Sequence, residues 1–290
     1  MSLIQVGLSD KTGELDPGLL HNVAAALNVQ VSRDLPQFWN IQASVSSLPK
    51  GKVPSGVWPV FLVKQLPPGE GGFHLDKHNQ PYAEVIAHPE NDGWTVAASH
   101  EVIEMLVDPN GNRLQSSRAI EIRGGKIREG AGEFEYLVEA CDPCEADEYA
   151  YSIQGVTVSD FLTPHFYDPM VTPGTRYSFT GALKAPREIL PGGYISWINQ
   201  ENEEWQQLQY IDPKQAPKIV DLGPASGKSL REWVHTKNRD AGLKTTRYLS
   251  EKRLNSELFK RTRERREHLD EIATKRAAMY GYPIGHKGKR

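Results

Sequence analysis

The sequence predicts an α+β domain followed by a basic helical C-terminal extension, and three observations carry that reading. Apolar residues recur at helical spacing in two separate stretches, while short alternating or continuously apolar runs, bounded by Gly, Pro and Asn, read as strands around them. Charge is divided along the chain: from Lys228 onward there are 18 Lys and Arg against 8 Asp and Glu, and before it 16 against 29. The 290 residues, 38% hydrophobic and 9% aromatic with 2 Cys, suffice for a real core and exclude a wholly disordered, collagenous or disulfide-framework chain.

Asp16-Pro17 opens the first helix, whose Leu19, Leu20, Val23, Leu27 and Val31 share one stripe; proline in the first turn has no bonded N–H to lose. Residues 41–48 (IQASVSSL) and 57–63 (VWPVFLV) read as strands, and 67–72 (PPGEGG) as a loop. In FHLDKHNQPYAEVIAH, the stretch His78-Asn79-Gln80-Pro81 turns one strand into another over 82–87. Asn91-Asp92-Gly93 caps a second helix, WTVAASHEVIEMLV, which stops at Asp108-Pro109-Asn110-Gly111. Beyond it RAIEIRGGKIRE turns as a hairpin at Gly124-Gly125, SIQGVTVSDFL reads as strand, and the chain is rich in Pro and Gly to about Trp205. On this reading residues 1–211 form the domain, 212–227 a linker and 228–290 the extension. The extension's polar run over 260–268 offers no apolar face to a core, so it is expected as a solvated arm for an acidic partner or nucleic acid. No apolar run approaches the ~20 residues of a membrane span, and the N-terminus lacks the features of a secretory signal; a cytoplasmic protein without a membrane partner is expected.

Chemistry concentrates on the second helix. Val96, His100, Ile103 and Val107 recur at spacings of four, three and four, so His100 is expected on the core-facing stripe with Glu104 beside it. A buried unpaired carboxylate costs several kcal/mol, and ion pairing, neutralisation or a metal removes that cost. His100 and Glu104, at i and i+4, can bind one ion together, and Glu101 then points toward the side where a water can sit. The motif His100-Glu101-Val102-Ile103-Glu104 resembles the His-Glu-x-x-His helix of metallopeptidases, with Glu in place of the second His. That exchange lowers the charge left on zinc (Zn2+) and tilts the site toward Ca2+ or Mn2+. About thirty residues after the helix stop comes Glu139-Ala140-Cys141-Asp142-Pro143-Cys144-Glu145, a second cluster of oxygen ligands.

SHExxExxxDP over 99–109 and ExxDxC over 139–144 resemble a group of bacterial zincin-like proteins, distantly similar to the plant phosphate-induced, exordium-like proteins. The order of elements agrees over roughly residues 15–200, the specific motifs only over those two segments. The resemblance implies a zincin-like metallopeptidase domain, a metal on His100 and Glu104 with a third ligand from Glu139 or Asp142, and Glu101 as catalytic base, but no known substrate; hydrolysis of a peptide or protein substrate is the reaction expected of such a site. In such a domain an antiparallel edge strand receives the peptide; residues 82–87, with Tyr82 and Glu84, are expected to be it. Asp160, His165 and Tyr167 are candidates for a cleft wall, His165 as a further ligand or an oxyanion donor, against the plainer reading of a hydrogen-bonded loop histidine. His74 and His78 are expected at the surface.

Two other motifs point elsewhere. Cys141-Asp142-Pro143-Cys144 has the spacing of a redox pair, but no long helix follows it and its acidic flank raises a thiol pKa. GPASGKS over 223–229 resembles a phosphate-binding loop, but it is one residue short and Pro224 lacks an N–H, so it reads as a linker and helix cap. The two functional expectations are thus a metal-dependent peptidase and, from another class, a non-catalytic scaffold with a structural cation and a docking tail.

Overall fold

In the computed structural model, which describes residues 3–67, 70–200, 202–225, 229–240 and 257–279, the chain opens with a strand, β1 (Ile4–Asp10), ahead of the expected helix. β1 has parallel neighbours on both sides, and a strand in such a position need not alternate apolar and polar residues. Helix α1 (Pro17–Val29) starts as expected, with the Asp16 carboxylate accepting from the Leu19 N–H at 2.9 Å and Leu20, Val23 and Leu27 buried.

The first sheet has the order β2 (Ala43–Ser47), β1, β3 (Val57–Val63), β5 (Gln80–Ile86), β4 (Gly72–Lys77). The first four are mutually parallel and β4 is antiparallel to β5. The edge strand is therefore β4, whereas residues 82–87 lie within β5 and Ala87, one position inside. The β4–β5 reversal is made by His78 and Asn79 at φ 55° and 62°, the left-handed pair whose twist suits a two-residue hairpin. That turn sets the register His74 to Ala83, and Ala83 in turn lies beside Val60 and Val60 beside Leu8. His74 thus shares the inner face of the sheet with Leu8, Val60 and Ala83, while Tyr82 and Glu84 point to the outer face.

Helix α2 (Trp94–Val107) packs on β4 and β5 and is buried along all 14 residues. Its other side meets the hairpin β8 (Tyr151–Ile153) and β9 (Val156–Val158), where Thr95 Oγ1 donates to the Thr157 carbonyl at 2.7 Å and Ser99 Oγ accepts from the Ser159 N–H at 2.6 Å. A stripe pattern understates this helix, because small Ala97, Ala98 and Ser99 let neighbours close on its second face.

The second sheet is antiparallel, in the order β12 (Lys218–Gly223), β11 (Glu204–Gln209), β10 (Tyr194–Asn199), β7 (Lys126–Leu137), β6 (Leu114–Arg123). β12 falls inside the stretch 212–227 expected as a linker; as an edge strand with only Leu222 buried it has the composition of a loop. The extension is not a free arm throughout. Helix α3 (Leu230–Asp240) buries Trp233 and Val234 against Leu137, Trp205 and Leu222 of the second sheet. Helix α4 (Glu257–Met279) is mostly exposed where described and reaches the body through Arg266, which donates to the Gly155 carbonyl at 3.0 and 2.8 Å and pairs with Asp92 at 3.0 Å. Residues 226–228 of the GPASGKS stretch lie outside the described residues, and Ser229 caps α3 by accepting from the Glu232 N–H at 3.2 Å. No helix among the described residues is long and apolar enough to cross a membrane.

Candidate metal centre

Four separate segments converge below α3. Helix α2 supplies His100, Glu101 and Glu104, edge strand β4 supplies His74, the turn after β7 supplies Glu139 and Asp142, and α3 supplies Arg231. All seven are buried, none more than 4% exposed. Four carboxylates in so small a volume repel one another and lose hydration, so positive charge has to be held among them.

Two trios of ligand atoms are close enough to hold an ion, and Glu104 belongs to both: His100 with Glu104 and Asp142, and His74 with Glu101 and Glu104. His100 Nε2 lies 3.1 Å from Asp142 Oδ1 and 3.4 Å from Glu104 Oε2. The approaches are close but misaligned for hydrogen bonding, so His100 Nε2 and Asp142 Oδ1 are both buried without a hydrogen-bond partner among the described residues. Atoms that converge without bonding one another suit a shared cation better than a direct pair. The donor set of one imidazole and two carboxylates, with no thiolate, is consistent with zinc and with harder cations. In the second trio, His74 Nδ1 meets Glu101 Oε2 at 3.2 Å in hydrogen-bonding geometry, and Glu101 Oε1 is left without a partner. Gly72 makes room there, since a Cβ at that position would stand 3.2 Å from Glu101 Cγ and Oε1.

The permanent positive charge in the cluster is the Arg231 guanidinium. Its Nη2 donates to Glu104 Oε2 at 2.6 Å and its Nη1 to Glu139 Oε1 at 2.5 Å and Asp142 Oδ2 at 2.8 Å. Glu139 Oε2 also accepts from Ser196 Oγ at 3.1 Å, and Glu104 Oε1 from the Cys141 N–H at 3.0 Å. Burial pushes the Glu104 and Asp142 carboxyls up, but Arg231 and His100 together outweigh it and hold both below the ordinary range. For Glu139 burial wins over Arg231 and, helped by Asp142 and Glu104, pushes the carboxyl well up. His100 is held well above its ordinary value, its burial being outweighed by Glu104 and Asp142.

The expected site residues divide accordingly. His100, Glu101, Glu104 and Asp142 come together; Glu139 is adjacent but turned to Arg231 and Ser196, outside both trios. Tyr167 is buried, and Glu139 and Glu104 act with burial to raise its phenol, which places it beside the cluster. His165 is exposed and bonded to Asp168 at 2.9 Å, the loop histidine of the plainer reading. Asp160 accepts from the Phe161 and Thr180 N–H groups and the Thr180 hydroxyl, and so fastens a loop. Tyr82 and Glu84 line an open groove of about 630 Å³ on the outer face of the first sheet, away from His74 and Glu101. Two members escaped the sequence. His74, expected at the surface, is 3% exposed; the signal was available, because a two-residue turn at 78–79 places it opposite buried Ala83. Arg231 had no local signal. Cys141 and Cys144 are buried and not joined in a disulfide, and burial with the Glu104 charge pushes the Cys141 thiol well up, against a reactive thiolate.

No protein-family model matches the chain, and neither a curated protein nor a solved structure is detectably similar to it.

Proposed function

We propose that this protein is a metal-dependent hydrolase of peptide bonds, with a zincin-like domain and a centre formed by His100, Glu104 and Asp142. The observation that carries the reading is the convergence of His100 Nε2, Glu104 Oε2 and Asp142 Oδ1 one residue away from the unpartnered Glu101 Oε1. A divalent ion bound there, zinc foremost and manganese or calcium as harder alternatives, would activate a water and polarise the carbonyl under attack. Glu101 accepts the water's proton through Oε1 and returns it to the leaving amine. His74 Nδ1–H donates to Glu101 Oε2 and fixes the carboxylate's orientation. The antiparallel edge strand β4, lying against the metal helix, is the element to which an extended peptide would add, in place of the residues 82–87 expected from sequence.

Elemental analysis and turnover of an unstructured protein test this together. Wild type loaded with zinc should hydrolyse the substrate, His100→Ala should lose the metal, and Glu101→Gln should keep the metal while losing about 10²–10⁴ in rate. Full metal content in His100→Ala would refute the site. A second reading is favoured by one observation, that every member of the cluster is buried beneath Arg231: a non-catalytic protein in which the cation is structural. Metal uptake without turnover across zinc, manganese and calcium would select it.

A further inference from the structure

The seat of Arg231 is shaped for it at both ends. At the head, the guanidinium takes an oxygen from each of Glu104, Glu139 and Asp142. At the stem, Gly111 has φ +63° and no side chain; a Cβ there would stand 2.6 Å from Arg231 Cβ, and the Gly111 carbonyl accepts the Arg231 N–H at 2.8 Å. Asn112 Oδ1 accepts the Leu230 N–H at 2.9 Å, so the loop that ends α2 also receives the start of α3. Further along, His235 Nε2 lies 3.0 Å and Arg239 Nη1 3.4 Å from Glu70 Oε1 just before β4, and the His235 ring lies 5.8 Å from that of Phe73. α3 therefore runs from the C-terminal end of the metal helix to the start of the edge strand. It covers the carboxylate cluster and reaches the first residues of the strand to which a peptide would add.

Glu104 Oε2 lies 3.7 Å from His74 Nδ1 and 3.4 Å from His100 Nε2, facing the histidine of each trio, and it is the atom that Arg231 Nη2 holds at 2.6 Å. A divalent ion on that oxygen sets two positive charges against the guanidinium at close range in a buried site, where screening is weak. We propose that α3 is a built-in plug of the centre, Arg231 and a divalent cation being alternative occupants of the Glu104 and Asp142 carboxylates. The plug rests on the metal-centre reading above and adds its regulation: the metal-free chain is closed and latent, and metal uptake is linked to release of α3. The helix suits such release. At 11 residues it is short enough to depend on its docking contacts for its helicity.

The test uses the full chain. Zinc affinity is measured by competition with a chromophoric chelator for wild type, Arg231→Met, and Gly111→Val, which crowds the arginine stem without touching a carboxylate. Amide exchange over residues 230–240 is followed in wild type with and without saturating zinc. Both variants should bind zinc at least tenfold more tightly than wild type, and the α3 amides of wild type should lose protection when zinc is added. Equal or weaker affinity in the variants, with wild type still binding zinc, overturns the plug and leaves the metal centre standing. Unchanged protection of α3 at saturating zinc does the same and needs no variant to fold. Absence of zinc binding in all three proteins removes the metal centre and the plug with it, leaving Arg231 as the permanent counter-ion of the cluster.

Discussion

Glu104 divides its two oxygens between structure and chemistry: Oε1 takes the Cys141 N–H, while Oε2 faces both histidines and Arg231. Around it, the residues that set geometry are as informative as the ligands. Gly72→Ala keeps an ordinary backbone but sets a methyl 3.2 Å from Glu101 Cγ and Oε1 and from the Glu84 carbonyl. The substitution should push the carboxylate aside by a few tenths of an ångström and lower turnover with metal content unchanged, since catalysis depends on the placement of the reacting group. Metal loss in this variant would show that Glu101 is a ligand and not a base. Protonation gives a second prediction. His100 and Glu139 both have folded-state pKa values raised well above ordinary, so their contributions are present below the unfolded values and lost as pH rises through the folded ones. Glu104 and Asp142, held low by Arg231, lose theirs only in acid, as pH falls below the ordinary carboxyl range. Chelator-treated protein should therefore be most stable in mild acid and weaken as pH rises above the ordinary histidine value, by at most about 1.4 kcal/mol per pH unit for each proton released. Urea melts across that range check it, and stability rising toward alkaline pH would contradict the assignment.

At the scale of elements, the sequence is legible where the pattern is local. Asp16-Pro17 with its stripe gives α1, the Gly124-Gly125 hairpin gives the β6–β7 turn, and His100, Glu101 and Glu104 are placed together by nothing more than helical spacing. What escaped depends on partners distant in the chain. β12 has no core-facing alternation to betray it, β1 is masked by burial on both sides, and the edge position of β4 follows from a strand order that no single strand encodes. α3 is the largest departure, because its Trp233 and Val234 face a sheet and its Arg231 a carboxylate cluster, while its charge resembles that of a solvated arm. Removing the Arg231 guanidinium has a definite consequence. Arg231→Ala in the metal-free protein leaves Glu104, Glu139 and Asp142 buried together without their guanidinium, and should cost about 3–5 kcal/mol. Zinc should restore much of that loss in the variant, by binding only the folded state. Thermal melts with zinc and with chelator measure both effects, and a variant as stable as wild type in chelator would show that the carboxylates had neutralised themselves.

For the whole molecule, the centre lies where the two sheets and α2 meet, built from residues near 74, 100, 140 and 231. Such a site forms only when most of the tertiary structure has formed, and the division of charge along the chain takes on a different meaning. The acidic body buries Arg231 of the basic extension and pairs with Arg239 and Arg266 nearer the surface, while most described residues of α4 stay exposed. Two truncations should therefore behave differently. Ending the chain after residue 225 removes Arg231 and exposes Trp205 and Leu222, so the metal-free product should melt well below the full chain or fail to fold. Ending it after residue 256 keeps α3 and removes α4, which Arg266 ties to the Gly155 carbonyl and to partly exposed Asp92; with most of the described helix in solvent, that should cost less than the loss of Arg231. The shorter loss should also weaken any association of the full chain with an acidic partner, and the association should fade with salt, since exposed charges are screened over about 8–10 Å at near-physiological ionic strength. Equal melting temperatures for the two truncated chains would mean that α3 contributes no more to the domain than α4 does, and the account of Arg231 as its internal cation would fail.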